Sequence, residues 1–273
     1  MNNKITPRKF NMPEPLELPL YWYQTDPLLT SFFTALSTIL PDGEKFMIDT
    51  LREARDHVQN AELKIDITGF IGQEAHHSLA HSIVNKTGLD HQIDIPAMEK
   101  DFRERVLKSL YQGSLAERLA FGAAIEHFTA IFGEYVLSNP DSLTNMPEVM
   151  HAFILWHAIE ELEHKSVVFD AFLEVSKGNL ALRRRAFMKA FRVLMSCVLE
   201  YQKQFLKQAN YQPTWSIRRD AFRYFFGLNG LFSSNMRMVF DYLKADFHPT
   251  QHQQAHFIVD WQNRYPVVVK YLS

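Results

Sequence analysis

Two copies of a short motif, Glu-x-x-His, hold the residues of this chain with the clearest potential for chemistry. The first copy supplies Glu74 and His77, and the second supplies Glu161 and His164. In a helix, residues three positions apart lie on one face, with their Cβ atoms about 5–6 Å apart. Each pair can therefore direct a carboxylate and an imidazole, both ligands of divalent metals, toward one point.

One further glutamate precedes each motif at a similar distance. Glu44 lies 30 residues before Glu74, and Glu126 lies 35 residues before Glu161. Some four-helix bundles hold two metal ions with a glutamate from each of two helices and a Glu-x-x-His pair from each of the other two. The six residues therefore predict two divalent metal ions, with iron favoured and manganese or a mixed Mn/Fe pair as alternatives.

The charge balance of these residues also favours metal. All four glutamates fall on apolar stripes of predicted helices, where an unpaired ionised carboxylate is costly. No lysine or arginine is spaced to neutralise all four, whereas two divalent cations would balance them. Carboxylate-rich ligation with one imidazole per metal suits iron or manganese better than structural zinc, which prefers thiolates and imidazoles.

Two more histidines extend the candidate set of metal ligands. His81 lies one turn beyond His77, and His157 lies one turn before Glu161. Each is interpreted as an extra ligand, as a hydrogen-bond partner of a ligand or as a core histidine. His157 and Glu134 are also candidate catalytic residues for proton transfer, although a surface position suits Glu134 equally.

The second motif admits an alternative ligand. Glu160 could replace Glu161 in a Glu-x-x-x-His arrangement, but the helical period turns its side chain about 100° away from the stripe. His127 and Glu163 also lie off the stripes, which predicts solvated positions or contacts behind the ligands. A lone Glu-x-x-His is usually a surface pair, so the metal interpretation depends on the two copies and their paired glutamates.

Long helices must position these residues, and the apolar periodicity predicts them. Pro41 is expected to end a short helix, Asp42 to cap the next one, and Ser114 to cap the third long helix. The predicted helices span 28–40, 42–59, 61–86, 95–112, 115–138 and 147–177. The predicted fold is all-α: a ferritin-like four-helix bundle that carries a dinuclear metal site, with additional C-terminal helices.

The chain divides into three segments within a single domain. Residues 1–27 form a proline-rich extended arm, 28–177 the metal-binding bundle and 178–273 a C-terminal helical extension packed on the bundle. The extension carries no comparable acidic or histidine pairs on its apolar faces. It could cover the site or form the interface of a homodimer.

The composition excludes several classes of protein. A net charge of −2 over 273 residues gives no nucleic-acid footprint. The single cysteine, Cys197, cannot form an internal disulfide, which favours a reducing compartment. The first twenty residues lack the apolar core of a secretory signal, and no apolar stretch is long enough for a transmembrane segment. We expect a cytoplasmic protein, with weak membrane association through an apolar patch as an alternative.

Four longer stretches around the candidate ligands resemble one family. The stretches are LPDGEKF at 40–46, FIGQEAHH at 70–77, AIEHFTA at 124–130 and WHAIEELEHK at 156–165. They resemble the bacterial proteins called predicted metal-dependent hydrolases over about residues 10–250. The ligand order also resembles the ferritin-like di-iron carboxylate superfamily.

These resemblances imply a metal centre with two half-sites. Carried over by position, the first half-site consists of Glu44, Glu74 and His77. The second consists of Glu126, Glu161 and His164. The two glutamates of the Glu-x-x-His pairs would bridge the metals. His81 and His157 depart from the plain ferritin-like pattern.

Three functions are compatible with these residues. The leading hypothesis is a di-iron enzyme that activates dioxygen to oxidise a small apolar or lipid-like substrate and takes electrons from a donor. The second is hydrolysis by a metal-bridged water, as the family's name suggests. The third is a non-enzymatic metal-binding helical protein.

Overall fold

The computed structural model describes residues 5–273 and confirms the all-α prediction. None of the described residues belongs to a β-strand, and an isolated bridge joins Phe10 to Leu272. A π-helical segment, Phe102–Leu107, joins α3 to α4. The helices are α1 Pro27–Arg55, α2 Ala61–Lys86, α3 Ile95–Asp101, α4 Lys108–Leu110, α5 Leu115–Ser138, α6 Glu148–His164, α7 Val167–Ser176, α8 Leu180–Gln208, α9 Trp215–Phe226, α10 Met236–Asp241, α11 Ala255–Ile258, α12 Trp261–Arg264 and α13 Pro266–Val269.

The four helices that carry the candidate ligands enclose a common core. Helix α1 packs against α2 and α5, and α6 also packs against α2 and α5. Each of the four therefore contacts two of the others, so their inward stripes face one interior. The ferritin-like classification of this arrangement stays a prediction.

The predicted helix boundary at Pro41 is wrong, because α1 runs through this proline. A proline inside a helix leaves the carbonyl four residues earlier without its amide donor. Here that carbonyl belongs to Ser37, and it accepts a hydrogen bond from the Asn85 side chain at 3.1 Å. The N-cap is Asp26 rather than Asp42, and its carboxylate accepts backbone N–H groups of the first turn.

The predicted fourth long helix is interrupted, which also differs from expectation. Helix α6 ends at His164, and α7 begins at Val167 after a two-residue turn. At the turn, Lys165 Nζ donates a hydrogen bond to the carbonyl of His252 at 2.7 Å. The break therefore follows the last candidate ligand directly and faces the C-terminal part of the chain.

The other boundaries near the site are confirmed by their caps. The Asn60 side chain accepts the backbone N–H of Glu62 at the start of α2. Ser114 and Glu117 form a reciprocal capping box at the start of α5, as expected for a serine followed by glutamate at the third helical position. These caps fix where α2 and α5 begin. From there the helical period places Glu74 and Glu126 on the inward faces.

Both ends of the described chain lie against the ligand-bearing helices. The Phe10 ring stacks on Tyr271, with centroids 5.2 Å apart, and also contacts Trp156 of α6. Helix α8 packs along α1 and α5. In the part of the chain that the structure describes, no helix combines the length and apolar character needed to cross a membrane. The division into arm, bundle and extension stays a prediction.

Candidate metal centre

The six predicted ligands meet in the interior of the four helices. Their side chains are buried, and the most exposed residue of the six, Glu161, is 5% accessible. His164 Nε2 lies 3.2 Å from Glu74 Oε1 and 3.2 Å from Glu126 Oε2. The same nitrogen lies 3.6 Å from Glu161 Oε2. Three carboxylates from three helices therefore surround one imidazole.

The donor atoms form overlapping groups whose members lie within 4.8 Å of one another. Glu44, Glu74 and His77 form one group, and Glu74, Glu161 and His164 form another. His157 belongs to two further groups, one with Glu44 and His81 and one with His77 and Glu161. Glu74 and Glu161 are therefore each grouped with both motif histidines, so their carboxylates lie between the two positions. This geometry suits two cations that share a carboxylate.

Most donor atoms at the centre have no hydrogen-bond partner among the described residues. Stranding an ionised carboxylate in the interior is costly, and a buried acceptor without a donor calls for a bound ion or water. The donor set of carboxylate oxygens and imidazole nitrogens fits divalent cations. The unpartnered atoms are both oxygens of Glu44, Glu74 and Glu126, Oε2 of Glu161, Nδ1 of His77 and Nε2 of His164.

The buried carboxylates differ in their affinity for protons. Burial and the neighbouring Glu74 raise the pKa of Glu44 well above its usual value. Burial and the carboxylate of Glu161 raise the pKa of Glu126 to about 8. For Glu161, burial opposes ionisation, but the His164 imidazole outweighs it and lowers the pKa. Without metal, protons therefore hold part of the charge balance.

The two motif histidines have a raised affinity for protons. Burial acts to lower the pKa of His77, but the Glu160 and Glu74 carboxylates together outweigh it and raise the pKa to about 10. Burial likewise opposes protonation of His164, and the carboxylates of Glu126 and Glu161 raise its pKa. Metal binding at these nitrogens must therefore displace protons.

His157 and His81 lie one behind the other beside this centre. His157 Nε2 is 2.8 Å from Glu161 Oε1, and its Nδ1 is 3.0 Å from His81 Nε2. The other nitrogen of His81 hydrogen-bonds to Ser37 Oγ at 2.9 Å. Burial and a neighbouring imidazole lower the pKa of both rings. His157 thus presents a nitrogen to the centre, and both nitrogens of His81 are engaged behind it.

Glu160 lies behind the centre and not in it, a role that the sequence did not reveal. Its side chain is fully buried, and Oε2 is 2.9 Å from Nε2 of His77, the nitrogen that faces away from the carboxylate cluster. Its other oxygen accepts a hydrogen bond from Arg8 Nε at 2.9 Å. A carboxylate in this position fixes the ring orientation of a metal-binding histidine.

The second motif histidine is held from behind by an amide. His164 Nδ1 is 2.9 Å from Gln73 Oε1, and Gln73 Nε2 donates to Glu163 Oε2 at 2.9 Å. Glu163 in turn accepts a hydrogen bond from Arg8 Nη1 at 3.0 Å. One guanidinium, supplied by the segment before α1, therefore links the supports of both histidines. The prediction that Glu163 contacts groups behind the ligands fits this position.

Glu134, the other candidate for proton transfer, lies elsewhere. Its carboxylate accepts a hydrogen bond from the side chain of Gln254. It is not among the residues that line the described cavity beside the centre, whereas His157 is. The geometry therefore favours His157 over Glu134 for contact with a substrate.

An apolar cavity of about 460 Å³ adjoins the centre. Glu44, Glu126 and Glu161 contribute to one part of its wall, and the rest is mainly phenylalanine, leucine, isoleucine and methionine side chains. Ligand sites commonly combine such an apolar wall with a few convergent polar groups. The arrangement can therefore hold an apolar molecule against the donor cluster.

The comparison with protein families agrees with a metal centre at this position. A family model described as a predicted metal-dependent hydrolase matches residues 6–253 and so covers all the candidate ligands. No curated protein and no solved structure matches the chain. Because the match spans nearly the whole sequence, the chain belongs to the predicted metal-dependent hydrolase family.

Proposed function

We propose that this protein is a dinuclear metal-dependent hydrolase that cleaves an ester bond in a substrate with a long apolar chain. The observation that carries the proposal is the set of unpartnered carboxylate and imidazole atoms at the wall of the apolar cavity. Family membership supports the reaction class. The cavity wall supports the substrate class.

The proposed ligands are those predicted from the two motifs and their preceding glutamates. One metal would be held by Glu44, Glu74 and His77, and the other by Glu126, Glu161 and His164. A bridging role for both Glu74 and Glu161 is supported, because each falls in a group with each motif histidine. His157 and His81 are candidates for additional ligands, because they form a group with Glu44. The hydrogen bond between the two rings supports the alternative that His81 orients His157.

Two bound divalent ions would lower the pKa of a water molecule and polarise the scissile carbonyl. The chain's own contribution is to position the substrate and to move a proton. The cavity wall would hold the apolar chain with its ester at the donor cluster. As the alternative to binding metal, His157 would release Glu161 Oε1 to the metal, and its Nε2 would then accept the proton of the attacking water. The water oxygen bonds to the acyl carbon, the carbon–oxygen ester bond breaks, and the proton passes to the departing alcohol.

The cavity volume limits the length of the apolar chain. A methylene group occupies about the volume of one liquid water molecule, about 30 Å³. A cavity of about 460 Å³ therefore holds about fifteen methylene groups. Burial of each contributes about 0.8 kcal/mol, so binding should strengthen with chain length until the cavity is full.

The test measures hydrolysis of nitrophenyl esters with acyl chains of increasing length by metal-reconstituted protein. We expect kcat/KM to rise with chain length and to be the same with and without oxygen. Glu74→Gln should abolish turnover and reduce bound metal, whereas Glu62→Gln, an exposed residue of the same helix, should change neither. Full metal loading with no ester or phosphoester turnover would contradict hydrolysis.

Dioxygen-dependent oxidation by a di-iron centre is a second candidate, and a specific observation favours it. Four carboxylates and two histidines from four contacting helices match the ligand set of bundles that bind two iron or manganese ions. Iron-loaded protein would then consume oxygen when it is given electrons and an apolar substrate. Oxygen uptake that depends on Glu74 and is absent from zinc-loaded protein would establish this alternative over hydrolysis.

A further inference from the structure

Helix α9 carries an apolar stripe that faces away from the protein. Trp215, Phe222 and Phe226 are 74%, 62% and 52% exposed. Phe222 and Phe226 follow Trp215 by seven and eleven residues, which places each within about 20° of Trp215 around the helix. Ala221 and Phe225, which lie about 120° and 80° around the helix from Trp215, pack inward. The exposed stripe is therefore separate from the face that stabilises the fold.

Arginines flank this stripe on both sides. By the helical period, Arg218 lies about 60° to one side, while Arg219 and Arg223 lie about 40° and 80° to the other. All three are exposed, and the Arg219 guanidinium lies 5.6 Å from the centre of the Trp215 ring. An apolar face bordered by cations is the pattern of a helix that lies in a membrane interface.

The charge around α9 is strongly asymmetric within the chain. Residues 180–241, from α8 to α10, contain eleven Lys and Arg against three Asp and Glu, a formal charge of +8. The whole chain has a formal charge of −2. Ten of these eleven cations are exposed, whereas Arg183 is buried, so the surface of this segment is complementary to an anionic one.

The same surface borders the apolar cavity. Among the described residues that line the cavity, three are exposed: Phe191 of α8, Phe226 of α9 and Met236 of α10. They are 40%, 52% and 45% exposed. The loop after α9 adds Leu228, whose side chain is fully exposed. The cavity therefore reaches the surface within the positively charged segment.

We propose that the face formed by α8, α9 and α10 docks on an anionic lipid bilayer and receives an apolar chain from it. The exposed stripe and Leu228 would enter the acyl boundary, and the arginines would contact lipid phosphates. Docking does not depend on the reaction proposed above. The transfer of a chain into the cavity rests on that proposed function, because it specifies the source of the apolar substrate.

A second copy of the chain fits this face less well. In a symmetric dimer the same patch meets itself, so the cationic segments of the two copies would face each other. A bilayer with anionic headgroups instead supplies the opposite charge and an apolar layer beneath it. Each arginine near such a surface strengthens binding about fivefold.

Vesicle binding tests the proposal directly with the full-length protein. The probes are vesicles of equal parts phosphatidylcholine and phosphatidylglycerol, with phosphatidylcholine alone as the control. Trp215 is the reporter, because the other three tryptophans are at most 7% exposed. We expect binding to the anionic vesicles with a blue shift of tryptophan emission. Trp215→Phe should remove the shift and keep most of the binding.

Variants separate the apolar and charged contributions. The double variant Phe222→Ser/Leu228→Ser should weaken vesicle binding at least tenfold, whereas Leu79→Ser, at an exposed leucine of α2, should not. Arg218→Gln/Arg237→Gln should weaken binding more than tenfold at low salt. This loss should shrink at high salt, because ionic strength rising from about 0.01 M to about 1 M shortens the Debye length from about 30 Å to about 3 Å.

The outcomes distinguish docking from catalysis. Glu74→Gln should lose activity and keep vesicle binding, and Phe222→Ser/Leu228→Ser should keep its metal content and its turnover of short soluble esters. Absence of binding to anionic vesicles would overturn the proposal, and so would binding that the double variant leaves unchanged. A dimer in solution that the double variant converts to monomer would assign the face to a second copy instead.

Discussion

Raising the pH should destabilise the metal-free protein, which is the reverse of the usual behaviour of buried carboxylates in ion pairs. Glu126 has a folded-state pKa of about 8 against an ordinary value of 4.5, and His77 has about 10 against 6.5. A group whose pKa is raised on folding stabilises the folded state below its unfolded pKa. That contribution is lost as the pH rises through the folded value.

The size of the effect follows from the same values. A group that is protonated when folded and deprotonated when unfolded costs about 1.4 kcal/mol of stability per pH unit. Between about pH 6 and about pH 8, Glu126 alone should remove about 2 kcal/mol. His77 titrates over the same range when unfolded and should also remove about 2 kcal/mol. The raised pKa values of Glu44 and His164 add to this loss, whereas the lowered pKa values of His81 and His157 oppose it. Because these groups lie in one cluster, we expect a net loss of about 2–4 kcal/mol.

Urea unfolding of chelator-treated and metal-reconstituted protein across this pH range measures the prediction. In the loaded protein the ligands are already deprotonated, so we expect no comparable loss of stability. The apparent affinity for metal should rise with pH instead, and metal addition in a weak buffer should release protons. The free energies of unfolding of the two forms should therefore diverge as the pH rises.

A matched pair of variants tests whether Glu126 causes the pH dependence of stability. In the metal-free state, Glu126→Gln replaces the carboxyl with a neutral amide and should reduce the pH slope by about 1 kcal/mol per unit. Glu104→Gln, an exposed residue, should leave the slope unchanged. Metal-free protein whose stability is flat or increases from about pH 6 to about pH 8 would refute the assignment of protons to this cluster.

Three further substitutions test individual contacts. Glu160→Gln should weaken metal binding about 10–100-fold in a chelator competition, because the amide supports the His77 ring less well than the carboxylate. Arg8→Met should lower the free energy of unfolding by about 3 kcal/mol in urea titrations, because it leaves Oε1 of the fully buried Glu160 without its guanidinium partner. Asn85→Leu should cost about 2 kcal/mol in the same assay, because the Ser37 carbonyl beneath Pro41 loses its donor.

The parts of the site that the sequence predicted are those encoded within single helices. The spacing of Glu74 and His77, like that of Glu161 and His164, depends only on the helical period. Their burial follows from the apolar residues on the same stripes. The convergence of four helices required only that each bury its stripe against the others. The structure brings all six predicted donors together on this basis.

The parts of the site that the sequence did not predict depend on contacts between distant segments of the chain. Arg8 lies 152 residues before Glu160, and nothing in the proline-rich stretch around it marks a partner. The continuation of α1 through Pro41 likewise depends on Asn85 from another helix. Glu160 did carry a signal, because it adjoins Glu161, but the helical period alone turns it away from the stripe. Glu160 supports His77 on the side away from the centre, whereas the helical period alone predicts a solvent-exposed side chain there.

The contacts behind the ligands connect metal binding to the segment before α1. Arg8 pairs with Glu160, which holds His77, and with Glu163, which is linked through Gln73 to His164. Both imidazoles are therefore oriented by groups that share one guanidinium. Displacing this segment would remove the guanidinium from both carboxylates and so weaken the support of both rings at once. The free energy of docking the segment and the free energy of binding metal are consequently coupled, and each should strengthen the other.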